Sequence, residues 1–467
     1  MQKLNITKSQ KDNYYIINKD TKVIQLVHPE LAKLYISNAN KDVSSYYINK
    51  KEYLANYGCF QNDDQQFQIK KITAQDIVHN IITTSQIIFE VTDKCNFQCK
   101  YCGYGELYSN YDQRNTKHVN LKDAISLINY YFELCRKHNY KINNLSIGFY
   151  GGEPLVNFEF IKEMIRWLEE KYPVNYSYNT TTNGVLLDRY IDYLVDKNFN
   201  LSISLDGDEY SNSYRVDCNG LPTFQQVIKN VNYIREKYPS YYNDNVSFTA
   251  VLHNRNAIHD ILSFFERTFS KIPRLGRLND GGIHGDKIDL FREMYTNTSS
   301  FNYANSTSAE IMNMPFLLPN HLLFLQNNLF SIYKDYLVLL SNYQDHEIYP
   351  TATCSPLKRK IYLTVNGKII PCEKIGHNYS LGYVSNGITH IDFDEVAQKY
   401  NEMYKKIYDD LCSSCNLLTN CLTCVLQSEL KCRIKKGDEE EFFQSELDIF
   451  ELQPDLYNEL TLNATLK

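Results

Sequence analysis

Val91-Thr92-Asp93-Lys94-Cys95-Asn96-Phe97-Gln98-Cys99-Lys100-Tyr101-Cys102 is the stretch on which the reading of the fold turns. Its three cysteines are separated by three residues and then two, and they follow a short apolar run, Ile87-Ile88-Phe89, that reads as a strand. A zinc site closes with four ligands, whereas an iron-sulfur cube held by three thiolates leaves one iron open to something else. The bland alternatives are a redox pair with a stray third thiol, or part of a zinc site completed from elsewhere in the chain. Spacing alone does not choose between them; the surroundings must.

Downstream, to about residue 275, strand-like runs alternate with helical ones, the pattern of a parallel α/β fold. Further strands are expected at Leu145 to Phe149, Tyr176 to Thr181, Leu201 to Leu205 and Ser247 to Leu252, with a weak sixth near 272–278. Asn120 is placed to cap a helix whose apolar face is Leu121, Ala124, Ile125, Ile128, Phe132 and Cys135. A second helix, from about Asn157, carries Phe158, Ile161, Met164, Ile165 and Leu168 on one face. In barrels of this kind the chemistry lies at the C-terminal ends of the strands. There stand Tyr150-Gly151-Gly152-Glu153-Pro154, then Thr180-Thr181-Thr182-Asn183-Gly184, then Ser204-Leu205-Asp206-Gly207 with Arg215 close behind.

The cysteine spacing with an aromatic, Tyr101, before the third cysteine, together with the Gly-Gly-Glu-Pro run after the second strand, resembles the radical S-adenosylmethionine (SAM) enzymes. The resemblance implies a partial (β/α)6 TIM-type barrel over residues 86–275 and a 4Fe-4S cluster on Cys95, Cys99 and Cys102. It implies that SAM chelates the open iron and is cleaved to a 5'-deoxyadenosyl radical, the cofactor supplying the hard chemistry. Contacts to SAM would then come from Tyr101, from Tyr150, Gly151, Gly152 and Glu153 around its amino group, and from Thr182 and Asn183. Ser204 and Arg215 would meet its carboxylate, for which a guanidinium fork is the natural partner. Asp206 is expected to shape its turn, and Cys218 has no assigned role.

The last third holds a second constellation. Cys354 is followed after twelve residues by Gly367 and after four more by Cys372, and then come Cys412, Cys415, Cys421, Cys424 and Cys432. This resembles the SPASM extension of peptide-modifying radical SAM enzymes, which binds two auxiliary 4Fe-4S clusters, three clusters in all. The resemblance implies Cys354, Cys372 and Cys424 on the first and Cys412, Cys415, Cys421 and Cys432 on the second. The chain departs from the family pattern where Leu422-Thr423 puts two residues, not three, before Cys424. The rival is a zinc ribbon on Cys412, Cys415, Cys421 and Cys424. Seven C-terminal thiols cannot close two cubes, so one iron of the first is expected to be open to a substrate thiolate, or filled by a non-cysteine ligand.

Residues 1–85 form a small α+β unit, a hairpin from Tyr14 to Val27 and then helices from Pro29, near 49–57 and near 73–83. That order resembles the winged-helix peptide-recognition elements of peptide-modifying enzymes; the alternative is a cap on the barrel's bottom. Residues 276–350 are a helical connector whose stretch from His321 to Tyr343 is apolar enough to bury against the barrel, 351–435 the SPASM domain, and 436–467 a charged tail ending in a packing helix. A net charge of -6 and a pI near 6.0 argue against nucleic-acid binding. No apolar run spans a membrane and no signal peptide is read, so a cytoplasmic location is expected, with thirteen cysteines serving metal and not disulfides. The expected function is a radical SAM/SPASM maturase that cross-links a ribosomally made precursor peptide, a thioether being favoured over a carbon-carbon bond. Its partners would be a precursor with a leader segment and an electron donor such as flavodoxin or ferredoxin. The rivals are an activator that oxidises a residue of a folded protein such as a sulfatase, and a scaffold that no longer cleaves SAM.

Overall fold

In the computed structural model the described residues are 4–18, 23–36, 43–57, 68–279, 281–295, 347–351, 353–413, 424–426 and 438–465, with positions 308, 311, 321, 324 and 325. At the N-terminus β1 (Leu4–Lys8), β2 (Tyr14–Asn18) and β3 (Val23–Val27) form an antiparallel sheet, followed by α1 (Pro29–Ile36) and α2 (Ser45–Asn56). A two-residue strand, β4 (Gln68–Ile69), and α3 (Ala74–Ile82) lead into the main body. Thr73 and Asp76 cap α3 reciprocally, which fixes where it begins.

The main body is built on six parallel strands laid side by side in chain order: β5 (Ile87–Thr92), β6 (Asn144–Gly151), β7 (Asn175–Thr182), β8 (Asn200–Ser204), β9 (Val246–Leu252) and β10 (Arg274–Arg277). The crossovers are α4 (Leu121–Lys137), α5 (Phe158–Lys171), α6 (Leu187–Asp196), α7 (Phe224–Lys237) with the short α8 (Pro239–Asn245), and α9 (Ile258–Phe269). Asn120 caps α4 as expected, its Oδ1 accepting from Lys122 N at 2.9 Å and Asp123 N at 3.3 Å. A sequential parallel order with helices on one face is the start of a barrel. That face is apolar: Phe89, Ile147, Phe149, Leu201, Ile203 and Phe248 are buried in one core with Phe160, Ile161, Met164, Ile165 and Leu168 of α5. Cys135 lies in the same core.

The residues between them in sequence point the other way, and they are small and polar. Ser146, Tyr150, Asn179, Thr181, Ser202, Ser204 and Thr249 are only half-buried, so the concave side of the sheet is an open polar trough. Asn179 spans its floor, accepting from Gln86 Nε2 at 2.6 Å and donating to Ser146 Oγ at 3.1 Å.

The sheet does not stop at β5. After α10 (Ile288–Met294) and β11 (Glu347–Ile348), β12 (Ile361–Leu363) pairs parallel to β5, and β13 (Lys368–Ile370), β14 (Gly382–Ser385) and β15 (Ile388–His390) extend it antiparallel to ten strands. Then α11 (Phe393–Ile407) packs on α3, whose Ile77, Ile81 and Ile82 join the barrel core although sequence assigned that helix to the N-terminal unit.

The chain ends in α12 (Asp438–Leu452) and α13 (Pro454–Thr465). Ile17, Phe443, Leu447, Ile449, Leu456 and Leu460 share a core with Ile311, Phe324 and Leu325. The neighbouring Ile16 faces the opposite way, into α1 and α2 with Val27, Leu31, Leu34 and Leu54. The N-terminal sheet is thus a middle layer between helices from the two ends of the chain. The described connector positions Phe324 and Leu325 bury there and not against the barrel, contrary to expectation, and His321 Nδ1 lies 2.7 Å from Glu446 of α12. The rest of the stretch from His321 to Tyr343 lies outside the described residues.

Candidate active site

The cysteine loop leaves the C-terminal end of β5 and is fastened along the segment before α7. Gln98 N donates to Val216 O at 2.8 Å, Lys100 N to Tyr214 O at 3.1 Å, and Cys102 N to Cys99 O at 3.1 Å. Cys95, Cys99 and Cys102 are free thiols, and Cys95 feels the charges of Cys99 and Cys102 while Cys99 feels that of Cys102. Burial pushes Cys95 and Cys99 up to about 12, so each stays protonated until a metal displaces its proton. Among the described residues no three His, Cys, Asp or Glu side chains converge as a single metal ion needs. Three free thiols on one loop are the donor set that a 4Fe-4S cluster takes when one of its irons is left open.

Tyr150-Gly151-Gly152-Glu153-Pro154 closes on this loop from β6. A Cβ at Gly151, where φ is +140°, would lie 2.3 Å from Thr92 O, and one at Gly152 would lie 2.3 Å from Lys94 O. The close approach that demands glycine is therefore first to the backbone of the cysteine loop. Gly152 N donates to Thr92 O at 2.8 Å and Glu153 N to Lys94 O at 3.0 Å. The Glu153 carboxylate, 1% exposed, accepts from Thr182 Oγ1 at 2.8 Å, Asn183 N at 2.7 Å and Leu155 N at 3.1 Å. Burial pushes it up to about 7 against those donors. Asn183 Nδ2 reaches Asn96 at 2.8 Å, so the third strand's end is tied to the cysteine loop twice over. Sequence expected Glu153 and Thr182 at the cofactor; here they hold one another, with Thr182 on the helix side of β7 and Thr181 and Asn179 in the trough.

Asp206 is more than a turn residue. Its carboxylate takes Arg215 in a fork, Nε at 3.0 Å and Nη2 at 2.9 Å, and also accepts from Tyr101 Oη and from Val251 N at 2.8 Å. Burial opposes its charge, yet Arg215, His253 and Tyr101 bring it down to about 2. The guanidinium that sequence assigned to a cofactor carboxylate is thus already engaged, while Ser204 stays half-buried on the trough side of β8. His253 stacks on Tyr101 with ring centroids 5.6 Å apart, which holds the Tyr101 ring beside Cys102.

Glu90 on β5 had no sequence signal. It is 1% exposed, 3.3 Å from Arg114, and accepts from Val365 N at 2.9 Å, with burial pushing it up to about 7. Arg114 in turn lies 3.6 Å above the Tyr104 ring and donates to Asp93 O at 2.6 Å. Asp112 accepts from Lys368 at 2.7 Å and Asn366 at 3.0 Å. These bonds clamp the segment after the cysteine loop to the β12–β13 turn, and Cys372 follows directly on that hairpin. The segment after the first cysteine group touches the loop that follows Cys372: His377 N donates to Asn110 O at 2.9 Å and the Tyr111 ring lies 5.3 Å from that of His377, and Tyr111 and Tyr150 both feel the charges of Cys102 and Cys372.

Cys354 and Cys424 are brought together by Val425 N donating to Thr353 Oγ1 at 3.0 Å. With Cys372 they act on one side chain, Tyr400 of α11. Cys412 is buried at the end of the π-helical turn, Tyr408–Cys412, that follows α11. Cys415, Cys421 and Cys432 lie outside the described residues, as does Cys59. Cys218 is exposed, with its thiol 3.6 Å from Cys95 O.

Residues 89–267 match the Radical SAM superfamily. The chain is 25% identical over 248 residues to the radical SAM cyclopropyl synthase TigE of Paramaledivibacter caminithermalis, an alignment covering 51% of this chain and 50% of that protein. It is 30% identical over 207 residues to the cysteine-type anaerobic sulfatase-maturating enzyme of Clostridium novyi, covering 42% of this chain and 52% of that protein. The chain thus spans about half the length of these relatives. Among solved structures, native anSMEcpe with bound AdoMet and Kp18Cys peptide superimposes with a TM-score of 0.50 at 18% identity, covering 82% of this chain and 99% of that one, a likeness of fold. The chain therefore carries a radical SAM domain at residues 89–267 and is related to radical SAM maturases.

Proposed function

We propose that this protein is a radical SAM/SPASM maturase that holds a peptide between two iron-sulfur centres and cross-links it, with a thioether as the product. The observation that carries this reading is the contact between the segments that follow the two cysteine groups, His377 N donating to Asn110 O at 2.9 Å and Tyr111 packing on His377, with Tyr111 and Tyr150 feeling the charges of both Cys102 and Cys372. Cys95, Cys99 and Cys102 would hold one 4Fe-4S cluster, Cys354, Cys372 and Cys424 a second, and Cys412, Cys415, Cys421 and Cys432 a third. When bound, the first cluster and SAM supply reductive cleavage of the sulfonium and removal of a substrate hydrogen atom.

The chain's own residues position and seal. Glu153, Thr182 and Asn183 keep the cysteine loop in register with β6 and β7. Asp206 and His253 fix the face of Tyr101 against the loop. The half-buried row Tyr150, Thr181, Ser202 and Ser204 offers hydroxyls along the trough for SAM and for a peptide backbone. Ser204 keeps its expected place at the SAM carboxylate; Arg215 would contribute there only through a donor left over from Asp206. Three cysteines on the second cluster leave one iron for a substrate thiolate, a soft ligand such iron accepts. The precursor's leader would add as a strand to β3, which pairs only with β2 among the described residues. Flavodoxin or ferredoxin would supply the electron.

A second reading, oxidation of a residue in a sulfatase, draws on the similarity to the sulfatase-maturating enzymes of Clostridium novyi and Bacteroides thetaiotaomicron. The deciding experiment is anaerobic reconstitution followed by reduction with SAM and the peptide encoded beside the gene. We expect about twelve irons per chain, 5'-deoxyadenosine, a peptide two hydrogens lighter, and no cleavage in Cys95→Ala, Cys99→Ala or Cys102→Ala. Undiminished cleavage in any of these variants overturns the assignment. A precursor stripped of cysteine that is still processed removes the thioether.

A further inference from the structure

We propose that the phenol of Tyr400 donates a hydrogen bond to the iron-sulfur centre held by Cys354, Cys372 and Cys424 and raises the potential of that centre. The inference rests on the reading of those cysteines as cluster ligands given above.

Tyr400 lies on the inner face of α11 and is 2% exposed. Its hydroxyl has no hydrogen-bond partner among the described residues. A buried phenol without a partner is a standing cost to the fold, and proteins seldom carry one without a reason. Tyr404, one turn further along the same face, meets the same demand inside the protein by donating to Thr353 O at 3.4 Å. Tyr400 could have been phenylalanine at no loss of packing if nothing received its proton.

The inner face of α11 meets the cysteines through Thr353, which takes Tyr404 Oη on its carbonyl at 3.4 Å and Val425 N on its hydroxyl at 3.0 Å, beside Cys354 and Cys424. The charges of Cys424, Cys354 and Cys372 all act on Tyr400. The three come from distant parts of the chain. Val425 N to Thr353 Oγ1, at 3.0 Å, sets Cys424 beside Cys354, and Lys374 N to Cys372 Sγ, at 3.4 Å, orients the Cys372 thiol within its own loop. A centre bridging these thiols would bring thiolate or sulfide to the phenol.

The phenol serves as a donor to sulfur and not as the missing ligand, because it approaches from the wrong side. Tyr400 comes from the core layer of α11, with Val396, Tyr404 and Ile407. Cys372 also acts on Tyr111 and on Tyr150, and Tyr150 stands on the half-buried trough side of β6. An iron left open for substrate must face the trough. A hydrogen bond to cluster sulfur draws off electron density and stabilises the reduced state, which raises the potential. A centre so poised is better suited to take the electron released when a substrate radical closes its new bond.

The test is Tyr400→Phe in the full chain, reconstituted with all its clusters, with Tyr404→Phe as the control. Iron and sulfide per chain are counted, and each centre is titrated by EPR against applied potential. We expect wild-type iron content, an unmoved potential for the SAM-binding cluster, and a shift of the three-cysteine centre to more negative potential in Tyr400→Phe alone. An unshifted potential overturns the proposal, and so does loss of iron from that centre, which would make Tyr400 a ligand. The wild-type protein offers a check that needs no substitution: an exchangeable proton coupled to the reduced centre, seen by ENDOR after transfer to deuterated buffer. Absence of that coupling also overturns the bond. Should the wild-type C-terminal cysteines hold zinc in place of clusters, it is the underlying reading that has failed, and the iron count reports this before any potential is measured.

Discussion

Gly152→Ala is a probe of how closely the Gly-Gly-Glu-Pro turn must seat against the cysteine loop. Gly151 sits at a φ of +140° and would be strained by any side chain, but Gly152 has no such φ, so alanine there tests the space alone. The added Cβ would stand 2.3 Å from Lys94 O, 2.6 Å from Lys94 C and 2.9 Å from Asp93 O, all backbone atoms that no rotamer change can move. Ordinary contact begins at 3.4 Å, so the loop must back away by roughly 1 Å. That movement breaks Gly152 N to Thr92 O at 2.8 Å and Glu153 N to Lys94 O at 3.0 Å. Two net hydrogen bonds of about 0.5–1.5 kcal/mol each put the loss of stability at about 1–3 kcal/mol. Lys94 immediately precedes Cys95, so the displacement passes to the reacting geometry, where 1 Å costs about a hundredfold in rate. The assay is single-turnover formation of 5'-deoxyadenosine at saturating SAM, with iron content and circular dichroism measured on the same sample. A variant that loads its iron, folds, and reacts at the wild-type rate would refute the argument.

Two more perturbations read the surrounding structure. Burial raises Glu90 from an ordinary 4.5 to about 7, so its neutral form is the one the fold prefers. Its contribution is full below pH 4.5 and is lost as pH rises through 7, about 3 kcal/mol at 1.36 kcal/mol per unit. Glu90→Gln should abolish that slope, and thermal unfolding curves that stay parallel from about pH 5 to about pH 8 would contradict it. At the far end of the chain, Glu451 accepts from Asn13 at 2.9 Å and Tyr15 at 2.7 Å, and α12 covers one face of the N-terminal sheet. Deleting residues 438–467 should therefore abolish binding of a fluorescent precursor while leaving SAM cleavage in its absence; unchanged affinity for the peptide would show that the tail is dispensable to that sheet.

What could be read in advance was local. Cys95, Cys99 and Cys102, the strand before them, the Asn120 cap and the alternation through Leu252 are written in spacings of a few residues, and the strands lie within a residue or two of expectation for most of the barrel. What escaped was pairing at long range. Nothing in Ile361-Tyr362-Leu363 announces that it will lie beside Ile87-Ile88-Phe89, yet that register sets the hairpin before Cys372 beside β5. Thr182 was read beside SAM because it ends a strand, whereas its bond to Glu153 and the strand parity that leaves Asn179 and Thr181 half-buried on the opposite face need the folded chain. Arg215 was assigned by analogy to the SAM carboxylate, and its pairing with Asp206 is visible only once both are folded. Glu90 and Tyr400 are single polar residues in apolar surroundings, and among thirty-nine tyrosines nothing marks the one on which three thiols act. β1 was missed because Leu4 to Lys8 alternates too briefly to register as a strand.

The layering of the N-terminal sheet between helices from both chain ends also bears on synthesis. Ile17 and Ile24 leave the ribosome early, but Phe443 and Leu447, which cover them, follow about 410 residues behind β3. At 5–20 residues per second that is a wait on the order of 20–80 s. For that interval the nascent sheet is apolar on one uncovered side, a surface chaperones bind and neighbouring chains on a polysome can join. The sheet is finished last although it is made first, so a chain cut short anywhere before α12 cannot complete it. If that sheet is where a precursor docks, only full-length enzyme can recruit substrate, and truncated barrels with intact thiols are kept from reacting on it.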